Sequence, residues 1–106
     1  MILQAAYDTL RKCELADSQY QFSNEWCGMS RTYLSWVKAA KAEPSHKALI
    51  QLVFRIDDKL AELGDHTDNE YPEVVAHDCA VLSNVRDDVM NYLRDPSVFV
   101  ERSQQP

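Results

Sequence analysis

The 106-residue chain is expected to be all-α, a compact five-helix domain. Three observations predict that class. Apolar residues recur at three- and four-residue spacing through each long segment. Each such segment is bounded by a residue that caps or breaks a helix. Only two Gly and four Pro occur, too few for a turn-rich β fold. A chain of this length buries roughly 65% of the surface its unfolded form exposes, which is enough for one core.

The first helix is expected over residues 2–16, where Leu3, Ala6, Leu10 and Cys13 make one apolar face. Asp8, Arg11, Lys12 and Glu14 take the other. Asp17-Ser18 interrupts the segment. Ser18 with Gln21 three residues later is a capping-box pattern, so a second helix starts there, turns Phe22 and Trp26 inward and stops at Gly28. Ser30 is placed to cap a third helix running from Arg31 to about residue 41. Its buried stripe is Met29, Tyr33, Leu34 and Val37, with Trp36 near the edge. Pro44 ends that segment, because the residue before a proline avoids the helical region. Ser45 caps a fourth helix in which Leu49, Leu52, Val53, Ile56, Leu60 and Leu63 keep helical spacing until Gly64 stops it. A polar linker follows. A fifth helix over 73–94 carries Val75, Cys79, Leu82, Val85, Val89 and Leu93 in a stripe close to a heptad pattern. Pro96 ends it, and 97–106 reads as a tail in which Val98, Phe99 and Val100 could tuck onto a neighbour.

The segment Gln19–Ile56 resembles the DNA-binding domain of the lambda repressor and Cro family. The resemblance rests on Cys27-Gly28-Met29-Ser30 across the turn, on Leu34 and Val37 four and seven positions later, and on Glu43-Pro44-Ser45 followed by Ala48, Leu49 and Leu52. The first helix of the motif departs from the family, with Ser23-Asn24 where a Leu-Ala pair is usual. The wording F-S-x-x-W-x-G-x-S-x-x-Y is also similar to a group of small bacterial proteins of unassigned function. The resemblance implies a lambda-repressor-like helix-turn-helix domain over 1–64. It implies homodimerisation through the region after residue 64, so that Val75, Cys79, Leu82, Val85, Val89 and Leu93 become interface candidates and 65–96 a linker plus dimerisation helix.

In that setting the helix at 30–41 enters the major groove of double-stranded DNA. Arg31 is the leading base reader, since its planar fork matches guanine O6 and N7 together. Ser30, Thr32, Ser35 and Trp36 share the outward side with it. Lys38, Lys41 and Lys47 suit phosphate, which positions a protein without reading sequence. The net charge of −6 opposes this reading, but it is unevenly spread. Residues 19–56 carry five basic and two acidic side chains, whereas 57–106 carry four basic and twelve acidic. Because fields are screened over roughly 8 Å at physiological salt, the local excess is what a phosphate meets.

The acidic second half motivates an alternative, a protein-binding module of anti-activator, antitoxin or inhibitor type that keeps the scaffold without reading DNA and docks on a basic partner. Tyr20, Trp26, Tyr33 and Trp36 would be its aromatic anchors, though core packing suits Trp26 and Tyr33 better. An exposed Trp36 favours this alternative and a buried one disfavours it.

Other chemistry is not expected. The chain has no Gly-rich phosphate loop, no C-x-x-C pair and no H-E-x-x-H, so neither an enzyme nor a cofactor is expected. Asp65–Pro72 (DHTDNEYP) has calcium-like acidic spacing. It holds Glu70 where the loop needs Gly and Ala76 where it needs a bidentate Glu, so no metal is expected. His77 and Cys79, two apart on a helix, face different ways. Cys13, Cys27 and Cys79 are odd in number and sit among apolar positions, as in reduced core residues of a cytoplasmic protein. No apolar run approaches the roughly 20 residues of a membrane span, and Met1-Ile2-Leu3 lacks the basic start of a signal peptide.

Overall fold

The computed structural model describes residues 2–65 and 72–95. The first helix, α1 (Ile2–Lys12), buries Leu3, Ala6 and Leu10 of the face expected of it, and Ile2 besides. It ends four residues earlier than the spacing suggested. Glu14 adopts φ 60°, and the amides of Leu15 and Ala16 both close on the Leu10 carbonyl. That left-handed turn satisfies the last carbonyls of the helix, a place usually held by Gly. Cys13 is therefore left half-buried in the turn, outside the helix, while Ala16 is fully buried.

The second helix forms where the capping pattern placed it. Ser18 Oγ accepts from the Gln21 amide at 3.1 Å, and Gln21 Oε1 accepts from the Asp17 amide at 3.0 Å. This is a capping box whose return bond is shifted one residue outward. A short helix, α2 (Gln19–Gln21), widens at once into a π-helical turn, Phe22–Trp26, closed by the Cys27 amide on the Phe22 carbonyl. Phe22, Ser23, Trp26 and Cys27 all point into the core. Phe22 meets Tyr7 of α1 edge-on at 5.6 Å, and the Arg55 guanidinium lies over the Trp26 ring at 5.7 Å. Burial pushes the Cys27 thiol up to about 12.

The third helix, α3 (Tyr33–Ala40), buries Tyr33, Leu34 and Val37. It terminates at Lys41, which takes left-handed angles of φ 50° and ψ 36°. Its connection to α4 (His46–Asp65) is held by Tyr33, whose hydroxyl accepts from the Ser45 amide at 2.9 Å. Ser45 Oγ in turn accepts from Ala48 N, the cap expected of it. Pro44 is buried in this corner. The inner face of α4 supplies Ala48, Leu49, Leu52, Val53 and Ile56 to the core, with Leu60 and Leu63 packed at its edge. Gly64 is not the stop expected of it. The helix passes through it to Asp65, and Gly28 is the one described glycine at positive φ.

The last helix, α5 (Pro72–Arg94), lies against both α1 and α4. Its proline at the first position fits the missing amide there. Arg86 Nε donates to Asp57 Oδ1 at 2.7 Å across the α4–α5 seam. The result is an all-α domain with no strand among the described residues. No described helix is long and apolar enough to cross a membrane. Most of the calcium-like segment, residues 66–71, and Val98–Val100 in the tail lie outside the described residues.

Candidate nucleic-acid interface

The approach to α3 is built around Gly28 and Ser23. Gly28 takes φ +65°, and a Cβ there would stand 2.8 Å from Gln51 Cγ on α4. Both facts require glycine, one through backbone angle and one through space. The turn is then pinned back onto the preceding segment. Met29 N donates to the Ser23 carbonyl, and Asn24 Nδ2 donates to the Met29 carbonyl at 3.2 Å. Ser23, fully buried, accepts through its hydroxyl from Leu34 N at 3.1 Å. A side chain eleven residues upstream thus takes one of the free amides at the start of α3. The Ser23 departure from the lambda-like pattern is what seats α3.

This arrangement corrects the expected start of the helix. Ser30 does not cap it: the helix begins at Tyr33, and Thr32 stands in the cap position without a side-chain bond. The Ser30 carbonyl accepts from Tyr33 N in a turn, so Arg31 and Thr32 belong to the approach loop and not to a helical first turn. The Ser23 hydroxyl takes the Leu34 amide from inside the core, in place of a local serine cap.

The side chains proposed for DNA nevertheless share one exposed region of sequence. Ser30, Arg31, Thr32, Ser35, Lys38, Lys41 and Lys47 are all exposed, and Trp36 is 59% exposed. Among the described residues no carboxylate pairs with Arg31, Lys38, Lys41 or Lys47. Ser35 Oγ donates to Gln19 Oε1 at 3.3 Å, and the Trp36 ring stacks against Tyr33 with centroids 6.4 Å apart. The indole is thus held by its neighbour on one side and open on the other.

The stripe expected to meet a second copy is placed differently. Leu82, Val85 and Val89 are buried in this chain's own core, and Val75, Cys79 and Leu93 are half-buried. Their heptad-like spacing docks α5 on α1 and α4, while Val74 and Met90 of the same helix stay exposed. Two contacts had no sequence signal, because they join distant positions. Cys13 Sγ lies 4.0 Å from His77 Nε2, and Arg86 pairs with Asp57.

A family model spans residues 3–100, nearly the whole chain, and its description is a family of unknown function, DUF6626. The chain belongs to DUF6626. The match covers all of the helices in the described part of this DUF6626 domain apart from the first residue of α1. No curated protein and no solved structure matches the chain.

Proposed function

We propose that this protein is a small cytoplasmic transcriptional regulator that presents α3 and its approach loop to the major groove of double-stranded DNA and acts as a homodimer. One observation carries the reading. The inner side of α3 is buried, while its outer side and the loop before it collect Arg31, Thr32, Ser35, Trp36 and Lys38, with neither cation tied to a carboxylate among the described residues. Lys38 and Lys41 meet phosphate, and Arg31 offers its fork to a guanine edge. Anisotropy titration against the DNA upstream of its own gene, at two salt concentrations, tests this. Competitor-resistant binding that weakens with salt is expected. Arg31→Ala should lose about 1–3 kcal/mol of discrimination at one base pair with the fold unchanged. No binding at low salt by the folded protein would sink the reading.

A second reading is favoured by the exposure of Trp36, 59%, and Tyr20, 58%. Large exposed aromatics are typical anchors for a protein partner. A pull-down that recovers one stoichiometric basic protein and no DNA would select it.

A further inference from the structure

The fourth helix carries a second stripe. Opposite its buried face, Lys47, Ile50, Phe54, Asp58 and Ala61 follow one another at spacings of three, four, four and three, and all five are exposed. Ile50 is 43% and Phe54 57% exposed, although both are large and apolar. A surface helix ordinarily shows apolar residues to its own core and polar ones outward, so Ile50 and Phe54, one turn apart on the outer face, form an apolar patch that the described residues of its own chain leave uncovered. Charge is arranged along this outer stripe as well. Lys47 stands at its N-terminal end and Asp58 toward its C-terminal end, and neither has an ion-pair partner among the described residues. Asp57 next to it is taken by Arg86.

We propose that this face of α4 packs antiparallel on the same face of a second copy. An antiparallel pairing is self-complementary in both respects. A two-fold axis near Leu52–Val53 sets Lys47 against Asp58 of the second copy, and the same axis sets Ile50 against Phe54. The two pairings differ by one residue of register, about 1.5 Å along the helix, which side chains of this length span. The surface is isologous, as a closed dimer requires. The stripe covers four helical turns, about 20 Å, so the contact is at the low end of specific interfaces and the dimer is weak. This assigns Lys47 to the second copy and moves the interface from α5 to α4. It stands whether or not α3 reads DNA.

Sedimentation equilibrium of the full chain, without nucleic acid, tests it. The parent should dimerise with an affinity that falls as salt rises, and Phe54→Glu should be monomeric with an unchanged circular dichroism spectrum. Lys47→Glu and Asp58→Lys should each weaken the dimer roughly tenfold, since each turns two attractive pairs into two repulsive ones. The double variant, Lys47→Glu with Asp58→Lys, should restore it. A parent that stays monomeric at about 1 mM, where even very weak association is populated, overturns the inference. So does a dimer indifferent to Phe54→Glu, or a double variant no better than the singles.

Discussion

Replacing Ser23 by Ala isolates the contact that seats α3. The Ser23 hydroxyl is fully buried and accepts from Leu34 N at 3.1 Å. Alanine fills nearly the same volume, so the change removes an acceptor and little else. The Leu34 amide then stays where no water reaches it, at a helix start whose own cap residue, Thr32, supplies no bond. An orphaned buried donor costs about 1–3 kcal/mol, and loss of a helix cap costs about 0.5–2. Taking about 1.5 kcal/mol, and about 4–8 °C per kcal/mol for a domain near 100 residues, the melting temperature should fall by about 6–12 °C. Urea unfolding followed by circular dichroism gives the same free energy independently, with an unchanged slope. Ser35→Ala is the matched control: its hydroxyl bonds Gln19 at the surface, and the effect should stay within about 0.5 kcal/mol. If Ser23→Ala is as stable as Ser35→Ala, Ser23 does not hold the start of α3.

Gly28→Ala should destabilise by more than about 1 kcal/mol, because a left-handed backbone disfavours any Cβ and this one meets Gln51. Adding Gln51→Ala should recover only the steric part, and full recovery would remove the backbone argument. The Cys27 thiol, held up to about 12 by burial, should resist alkylation at pH 8 in the folded protein while half-buried Cys13 and Cys79 react. Its folded value lies above the ordinary 9.0, so its contribution to stability is complete below that and declines as pH rises from about 9 toward 12. Unfolding free energies that stay flat across that window would contradict the buried placement.

The parts of this fold that sequence could reveal are those whose causes are local. The Ser18–Gln21 cap, the Ser45 cap and the inner stripe of α4 each depend on residues within a few turns of one another, and each appears where spacing puts it. The start of α3 does not. Ser30 has the local credentials of a cap, but Ser23 reaches the same helix end through tertiary packing, and no spacing rule encodes that. Gly64 fails for a related reason: glycine permits a helix stop without requiring one, and α4 continues through it. The stripe on α5 shows a different limit. Periodicity records that one side of a helix is covered, and the cover proves to be α1 and α4 of the same chain. For the candidate interface, residue types and outward placement were readable, whereas the stack of Trp36 on Tyr33 and the loop position of Arg31 depend on where α3 begins.

The two tryptophans divide the protein's fluorescence into separate channels. Trp26 is sealed in the core beneath Arg55, while Trp36 stands on the surface against Tyr33. Iodide should quench the second and spare the first, so one emission spectrum carries a blue component sensitive to unfolding and a red one sensitive to whatever covers α3. Occupancy and integrity can therefore be followed in the same cuvette, without a label, for any ligand brought to that face.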